Sequence, residues 1–559
     1  MCGIVASVGM NPSHVEIGIQ SSRHRGPDAS KKIEIDDVVL GHVRLSMVDL
    51  NNSADQPFVS TCGQFYVVFN GEIYNHRALR KNLEEKGYKF RTHSDTEVLV
   101  NLFIEYGIEC FSRLKGMFAL IVYDSRAKLL YAVRDQMGIK PLYYHLNGQH
   151  LFFASEIKAF PNYAKRRLDR RSKILFLTYG FIPEPLTLYE NVQTISPGHI
   201  SIFRDRKLIK QVKISYDSSV YDDLSVFSHV FTHVVKQTAE SDSRIGVLLS
   251  GGIDSTVICK VLSESEKSAN TISINFEDVG TSEENFQNLV ADVYKTNHSA
   301  FSIDVAAQKA LWVKFLQSMD QPTIDGFNIY VATHYANQLG YKGLLSGAGA
   351  DELFYGYPSI KKLKWIKHTR RLIRAISWLG LVNKKYQRLS WIKLFEIDQG
   401  WTIMRSISSP EQISLITGEN LTTILDTVAE CIEANLQQGL PSGEIATELD
   451  KVMYLRCQLL RDADVFGMSN SIEIRVPFLD QRIVNWNENN LQTISTSPSK
   501  KHLKELLFSD FDDTFLNRTK RGFDNPYVNL SKTTSAFDKK IDMSPILALA
   551  MEIYASKER

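Results

Sequence analysis

Hydrophobic and polar positions along the first two hundred residues follow patterns typical of β-strands. The runs QFYVVFN (64–70), MFALIVYD (117–124) and LLYAVRD (129–135) are short, and they are either continuously apolar or alternate with a period of two. Such runs predict strands that bury one or both faces. With few helices between them, these strands are expected to form stacked antiparallel sheets.

Two helical patterns interrupt the strands. One begins near Asn75 and continues through HRALRKNLEEKGY to a glycine, and the second follows in SDTEVLVNLFIEYG. In the second, Ser94 and Glu97 have the spacing of a capping box, in which each side chain bonds the backbone N–H of the other residue. We therefore expect an α+β region whose helices flank the sheets.

Farther along the chain, strand and helix patterns alternate. Strands are predicted at RIGVLLS (244–250), TISINF (271–276) and GLLS (343–346), with helices beginning at Asp254 and at SEENFQNLVADVYK (282–295) between them. This alternation predicts an α/β domain with a parallel sheet, whose ligand lies at the carboxyl ends of the strands. The region from about 360 to 530 is expected to be largely helical.

The chain of 559 residues is too long for a single hydrophobic core. The strand pattern gives way near ISPGHISIF (195–203) to a polar stretch. We therefore predict one domain over 2–205, a second over 220–530 and a C-terminal tail over 531–559.

Composition and charge exclude several classes of protein. A net charge of +2 gives no reason to expect a nucleic-acid partner. Six scattered cysteines without a CxxC pair indicate reduced thiols, with no disulfide framework or zinc site. No apolar run approaches the ~18 residues of a membrane span, and no basic region precedes the opening MCGIVASVG, so the expected location is cytoplasmic.

One segment, residues 358–395, departs from this average. It holds eleven lysines and arginines and three tryptophans, but no acidic residue. It fits a helical hairpin with a solvated basic face. It also fits a surface that meets an anionic acceptor, or a membrane surface that carries one.

Cys2 is the first candidate for chemistry, because removal of Met1 would place a thiol and a free α-amino group on one residue. The amine, with an ordinary pKa of about 7.7–8.0, can take the thiol proton directly or through one water. A cysteine at this position alone is weak evidence, since most such residues have no catalytic role. The sequence that follows it carries the hypothesis.

Five stretches in order resemble the class II glutamine amidotransferase domain, an N-terminal-nucleophile hydrolase fold with αββα layers. They are MCGIVA (1–6), RHRGPD (23–28), GHVRLSMVDL (41–50), FNGEIYNH (69–76) and SDTE (94–97). The resemblance implies that the nucleophile attacks the side-chain amide of glutamine, forms a thioester and releases ammonia.

The same resemblance implies roles for residues around the nucleophile. Arg44 would bind the glutamine carboxylate, and Asp95 with Glu72 would bind its ammonium. Asn70 and the backbone N–H of Gly71 would stabilise the tetrahedral oxyanion. These residue types suit a substrate that carries an anion, a cation and an amide.

A second constellation begins at LLSGGIDST (248–256), between a predicted strand and a predicted helix. It resembles the pyrophosphate loop of enzymes that cleave ATP to AMP and pyrophosphate, and backbone N–H groups at such a turn bind anions. Asp254 and Asp351, the latter in SGAGADELFYGY (346–357), are candidate Mg²⁺ ligands. Predicted nucleotide contacts are Leu249, Ser250, Gly251, Gly252, Asp254, Ser255, Ile274, Ser346 and Gly347.

Together with RDADVFGMSN (461–470), SIEIRVPFLD (471–480) and KRGFDNP (520–526), these motifs resemble the asparagine synthetase family over nearly the whole chain. The resemblance implies an ATP- and Mg²⁺-dependent ligase that amidates an adenylated carboxylate, with an internal tunnel for ammonia. It assigns Lys500, in KKHLK, to charge neutralisation, although Lys501 stands next to it. A homodimer is a further expectation.

Two positions depart from the family pattern and leave the acceptor open. Ala348 stands where the bacterial enzymes have glutamate, and Asp325 stands at what resembles an arginine position. Aspartate, giving asparagine, is the default acceptor. The alternative is a sugar uronate, linked to a nucleotide or lipid, in surface polysaccharide synthesis. A non-catalytic regulatory relative is disfavoured because the candidate catalytic residues are intact.

Overall fold

The computed structural model describes most of the chain. The described residues are 2–162, 165–216, 226–264, 269–277, 283–357, 366, 369–371, 384–437, 439–441, 444–497, 500–518 and 545–558. The KRGFDNP motif and most of the basic segment 358–395 lie outside the described residues. In the described part of the chain, no helix has the length and apolar character needed to cross a membrane.

The N-terminal part contains two six-stranded antiparallel sheets. Their orders are β10-β8-β9-β1-β3-β2 and β12-β11-β7-β6-β5-β4. The strands are β1 (Cys2–Val8), β2 (Ala29–Ile35), β3 (Val38–Arg44), β4 (Phe58–Val59), β5 (Phe65–Ile73), β6 (Gly116–Asp124), β7 (Leu129–Arg134), β8 (Tyr143–Leu146), β9 (Leu151–Ala154), β10 (Val192–Thr194), β11 (His199–Arg204) and β12 (Lys207–Lys213).

The two sheets pack face to face over an apolar core that includes Ile4, Val68 and Ile121. Helices cover their outer faces and complete the αββα layering expected from the sequence. These helices are α1 (Ser13–Ser21), α2 (His76–Glu85), α3 (Asp95–Tyr106) and α4 (Arg170–Tyr179). Short 3₁₀ turns lie at Arg23–Arg25, Asn52–Ala54, Gly107–Arg113 and Ile157–Ala159.

The start of α3 differs in one detail from the sequence prediction. The Ser94 side chain accepts a hydrogen bond from Glu97 N, as expected of a cap. Glu97, however, does not bond back to Ser94, so the predicted capping box is only half formed. Its carboxylate instead accepts hydrogen bonds from the backbone N–H groups of Arg91 and Thr92, at 2.7–3.0 Å. The Glu97 carboxylate thus gains two backbone donors in place of the single N–H of Ser94.

The second part of the chain is built on a parallel five-stranded sheet of order β15-β14-β13-β16-β17. Its strands are β13 (Ile245–Leu248), β14 (Asn270–Phe276), β15 (Asn297–Ile303), β16 (Gly343–Leu345) and β17 (Glu473–Arg475). The predicted strands β13, β14 and β16 are confirmed. The two edge strands were not predicted, because β15 is largely polar and β17 has only three residues.

Helices surround this sheet and make up the described C-terminal part, as predicted. They are α5 (Phe227–Thr238), α6 (Ile253–Ser263), α7 (Glu284–Val293), α8 (Val305–Ser318), α9 (Phe327–Gln338), α10 (Ala350–Leu353), α11 (Phe395–Asp398), α12 (Trp401–Arg405), α13 (Pro410–Thr417), α14 (Leu421–Asn435), α15 (Ile445–Leu449), α16 (Arg461–Ser469), α17 (Gln481–Asn489), α18 (Leu491–Thr496), α19 (Lys501–Glu505), α20 (Asp513–Leu516) and α21 (Pro545–Glu558). A π-helical stretch, Asp450–Leu460, joins α15 to α16, and 3₁₀ turns lie at Lys384–Leu394 and Pro477–Leu479.

The two parts of the chain meet through buried charges. Arg25, in the RHRGPD stretch, pairs with Glu156 of its own domain at 2.8 Å and with Asp464 of α16 at 2.8 Å. Lys140 Nζ lies 3.6 Å from the other oxygen of Asp464. All four side chains are almost completely buried. Because uncompensated buried charges are costly, loss of one partner from this network would disfavour the observed packing of the two parts.

We expect Asp464→Ala to destabilise the protein by about 3–5 kcal/mol, because it removes the anion that Arg25 and Lys140 share. The exposed Asp36–Lys128 pair offers a matched control, and Lys128→Ala should cost about 0–1 kcal/mol. Urea unfolding followed by tryptophan fluorescence measures both. Equal midpoints for the two variants would contradict a structural role for the buried network.

Candidate active sites

Cys2 opens β1 and lies opposite Arg44 of β3 in the antiparallel register. Its backbone N–H donates to Asn70 Oδ1 at 3.0 Å. Burial raises the pKa of the Cys2 thiol, while the positive charges of the amino terminus and Arg44 oppose that rise. A thiol that stays protonated needs a nearby base before it can act as a nucleophile.

Asn70 and Gly71 lie in the middle of β5, where they pair with β6. With Oδ1 of Asn70 occupied by Cys2, its Nδ2 is buried and has no hydrogen-bond partner among the described residues. Gly71 has a φ of +149°, and a Cβ there would lie 2.0 Å from the carbonyl oxygen of Met117. The strand therefore requires glycine at position 71. The Asn70 side chain, held by the Cys2 backbone, keeps one amide donor unpaired among the described residues.

Arg44 ends β3 beside Cys2, but its hydrogen bonds go to the loop that follows it. Nη1 donates to Asp55 Oδ1 at 2.7 Å and to the carbonyl oxygen of Asn51 at 2.8 Å, and Nη2 donates to the carbonyl oxygen of Asp49. The guanidinium is thus held rigidly in the site by its own loop. Its predicted contact with a substrate carboxylate stays a prediction.

Glu72 and Asp95 provide two buried carboxyl groups, and burial raises the pKa of each. Asp95, the first residue of α3, accepts a hydrogen bond from Ile73 N at 3.1 Å. Glu72 lies 3.2 Å from Nη2 of Arg475 in the other domain. Glu72 therefore joins the domains, and its predicted contact with an ammonium group stays untested.

A pocket brings together most of the predicted glutamine residues. Its volume is about 30 Å³, and its walls are formed by Cys2, Arg44, Leu45, Met47, Val48, Ala54, Gln56, Phe69, Gly71, Glu72, Ser94, Asp95 and Thr96. A larger cavity of about 640 Å³ adjoins it at the domain boundary. Val48 and Glu72 line both, so the two spaces share a wall.

The predicted pyrophosphate loop connects β13 to α6. Gly251 has a φ of +77°, a conformation that favours glycine. The hydroxyl groups of Ser250 and Ser255 are 3.2 Å apart, and Ser250 Oγ accepts from Gly252 N at 3.2 Å. The turn thus places the N-terminus of α6 at the carboxyl edge of the sheet, a position that suits an anion.

Asp254 and Asp351 converge on one cation. Nζ of Lys500 lies 2.7 Å from Asp254 and 2.6 Å from Asp351. The neighbouring Lys501 instead faces Glu505, at 3.7 Å. The structure thus shows which of the two adjacent lysines contacts the candidate metal ligands, a choice that the sequence left open. Two converging carboxylates also suit Mg²⁺, which binds carboxylate oxygens and substrate phosphates. The described residues hold no cluster of three or more typical metal ligands.

The remaining predicted nucleotide residues lie around this loop. Leu249 is buried directly after β13, and Ile274 is buried in β14. Ser346 and Gly347 follow β16, and a Cβ at Gly347 would lie 2.7 Å from the Asp254 side chain. This close approach joins the two glycine-rich turns into one site.

Arg518 was not identified from the sequence. Its guanidinium stacks on the Phe286 ring, 3.9 Å from the ring centroid, and donates to the carbonyl oxygen of Gly251. It thereby brings a cation to the loop predicted to bind pyrophosphate. No pattern around Arg518 indicated this, because the contact spans 267 residues.

The two atypical positions lie in loops between regular elements. Ala348 N donates to Ser346 Oγ at 3.3 Å, in the turn after β16. Asp325 accepts from Gly326 N at 2.7 Å, and burial raises the pKa of its carboxyl group.

Comparison with known proteins covers both parts of the chain. A family model described as a glutamine amidotransferase domain matches residues 1–214, and one described as asparagine synthase matches residues 227–541. Asparagine synthetase 1 (glutamine-hydrolysing) of Bacillus subtilis is 29% identical over 578 residues, covering 94% of this chain and 87% of that protein. Asparagine synthetase 3 of Arabidopsis thaliana is 31% identical, covering 70% and 68%.

Gly71→Ala should prevent normal folding of β5, since the added methyl group would meet the backbone of β6. Gly63→Ala is the control, because Gly63 also has a positive φ but has nothing within 4 Å of an added Cβ. The control should lose only about 1 kcal/mol of stability from backbone strain. Soluble yield and thermal midpoint measure the difference. If Gly71→Ala were as stable as the control, the close approach would be wrong.

Proposed function

Because this chain belongs to the asparagine synthase family, we propose that it hydrolyses glutamine at Cys2 and uses the ammonia to amidate an adenylated carboxylate. It is a carbon–nitrogen ligase of the glutamine-hydrolysing type. The proposed products are glutamate, AMP, pyrophosphate and an amide. Aspartate is the proposed acceptor and asparagine the amide.

The observation that carries the proposal is the contact between Cys2 and Asn70. Asn70 Oδ1 accepts from Cys2 N, and this orients the buried Nδ2 as a donor with no other described partner. A donor held beside a nucleophile can stabilise the oxyanion that forms when the nucleophile attacks an amide. Loss of one such donor typically lowers the rate by about 10²–10³-fold.

Glutamine hydrolysis would proceed in two steps at Cys2. The sulfur attacks the side-chain amide carbon, while the thiol proton passes to the α-amino group that removal of Met1 would expose. Ammonia then leaves with that proton, and water hydrolyses the thioester to glutamate. Burial raises the pKa of the Cys2 thiol, so its attack needs a base, and the α-amino group of the same residue is the proposed one.

Activation of the acceptor is proposed for the loop between β13 and α6. Its N–H groups and the N-terminus of α6 would bind the pyrophosphate of ATP. Asp254 and Asp351 would hold Mg²⁺, whose charge neutralises the phosphates. Lys500, between the two carboxylates, would offset charge that develops when the acceptor carboxylate attacks the α-phosphate.

Arg475 supports a direct route for ammonia. Its side chain contacts Glu72 at the glutamine pocket, and its carbonyl oxygen accepts from Ser346 N at 2.8 Å in the nucleotide site. A single residue therefore spans from one site to the other. We propose that ammonia passes through the protein near Arg475, because in water it would be protonated and lose its nucleophilicity.

A sugar uronate is the second candidate acceptor, favoured by Ala348 and Asp325. Ala348 leaves the turn after β16 without a carboxylate that could bind the ammonium group of aspartate. Asp325 supplies a carboxylate where a cation would better suit a second acidic group. A uronate has no ammonium group and only one carboxylate, so it needs neither feature.

We also propose that the protein is cytoplasmic and forms a homodimer. The basic segment 358–395 is proposed to contact a membrane surface. The segment's charge supports such a contact with an anionic surface, whereas Trp391 is buried in a hydrophobic core and does not contribute to it. A non-catalytic regulatory role is disfavoured, because Cys2, Asn70, Asp254 and Asp351 lie in arrangements suited to chemistry.

Cys2→Ala should abolish glutamate formation from glutamine, because no other nucleophile is expected to replace the thiol. With ammonium chloride as the nitrogen source, the variant should still consume ATP and amidate the acceptor. Coupled assays of glutamate and pyrophosphate measure the two activities. Persistent glutamine hydrolysis would overturn the role of Cys2.

Aspartate should stimulate pyrophosphate release from ATP in the presence of glutamine if it is the acceptor. Amide formation in the same reaction should match the pyrophosphate released. UDP-glucuronate and UDP-galacturonate serve as the comparison acceptors. Stimulation by a uronate without stimulation by aspartate would exclude the aspartate proposal and support the second candidate.

A further inference from the structure

The loop 46–51 follows Arg44 and separates the glutamine pocket from the larger cavity at the domain boundary. Val48, in the centre of the loop, lines both spaces. The loop carbonyl groups also hold the Arg44 guanidinium. Whatever fixes this loop therefore fixes the cation predicted to bind the glutamine carboxylate.

Asp49 is the most constrained residue of this loop. It is buried and has a φ of +52°, a left-handed conformation that is unfavourable for a residue with a side chain. Its Oδ1 accepts from Asn51 N at 3.1 Å and from Asn51 Nδ2 at 2.8 Å, and its Oδ2 accepts from His93 N at 2.8 Å. Although burial opposes it, these donors lower the pKa of the carboxyl group.

These contacts reach both groups predicted to recognise the ends of glutamine. The carbonyl oxygen of Asp49 accepts from Nη2 of Arg44, and its side chain holds His93, two residues before Asp95. A shift of Asp49 would therefore move the predicted carboxylate-binding and ammonium-binding groups together.

The second domain holds the same loop from the other side. Oδ2 of Asp242 accepts from Asp49 N at 2.9 Å, and Asp242 N donates to the carbonyl oxygen of Met47 at 3.0 Å. Ser243 Oγ donates to the carbonyl oxygen of Ser46 at 2.8 Å. This segment lies directly before β13, the strand that leads to the predicted pyrophosphate loop.

We propose that Asp49 is a positioning residue for glutamine recognition and that Asp242 of the second domain holds it in place. Affinity for glutamine then depends on a contact between the domains. The residue that makes this contact, Asp242, lies shortly before β13 and the predicted pyrophosphate loop. This inference rests on the proposed function, because it concerns glutamine binding at Cys2.

Asp242→Ala tests the contact without emptying a core position, since Asp242 is exposed. Loss of one hydrogen bond to a carboxylate should raise the KM for glutamine about three- to tenfold in the glutamate-release assay. The kcat should change less than about twofold, because the loop does not contact the reacting atoms. Ammonia-dependent pyrophosphate release should stay unchanged.

Two variants serve as matched controls. Asp242→Asn keeps an oxygen that can accept from Asp49 N, so its KM should stay close to that of the unmodified protein. Glu240→Ala removes a nearby exposed carboxylate that pairs with Arg77 at 3.0 Å, and among the described residues its side chain has no hydrogen bond to the loop. Its KM should also be unchanged.

An unchanged KM in Asp242→Ala would overturn the inference. So would an equal rise in Asp242→Asn or Glu240→Ala, or a parallel loss of ammonia-dependent activity, since each would indicate a general structural effect. Absence of glutamine hydrolysis in the unmodified protein would instead overturn the proposed function, and the inference with it. A selective rise in Asp242→Ala supports it.

Discussion

Arg475 is a fully buried cation, and a buried cation is tolerated only where its charge and its donors are satisfied. Its Nε lies 2.6 Å from Glu473, Nη1 donates to the carbonyl oxygens of Thr238 and Glu240 at 2.7 Å, and Nη2 lies 3.2 Å from Glu72. These partners come from both domains. Because Arg475 must pair with groups from both domains, these contacts hold the pocket at Cys2 against the edge of the parallel sheet.

This placement serves the proposed chemistry. A carboxylate resists attack by ammonia until adenylation supplies a leaving group, and ammonia loses its nucleophilicity once protonated in water. The two reactions therefore need separate sites with a protected connection between them. Cys2 begins β1, an inner strand of one N-terminal sheet, while Asp254 and Lys500 lie at the carboxyl edge of the parallel sheet.

Much of the fold could be predicted because its signals are local. The apolar runs of β5 and β6 and the alternation around β13 and β14 each lie within a few residues of sequence. Edge strand β15 could not be predicted this way, because its sequence is largely polar and it forms a strand only by pairing with β14. The predicted capping box formed only in part, because the Glu97 carboxylate accepts hydrogen bonds from Arg91 N and Thr92 N instead of from Ser94 N.

The sequence by itself provided the groups on which the proposed chemistry depends: a cysteine directly after Met1, an Asn–Gly pair in a strand, and a glycine- and serine-rich turn before a helix. Each is encoded by adjacent residues whose properties do not depend on distant contacts. Only the tertiary structure decided between Lys500 and Lys501, directed Glu72 toward Arg475, and brought Arg518 to the carbonyl oxygen of Gly251. Those outcomes depend on burial and on charge pairing between segments hundreds of residues apart, which no local pattern specifies.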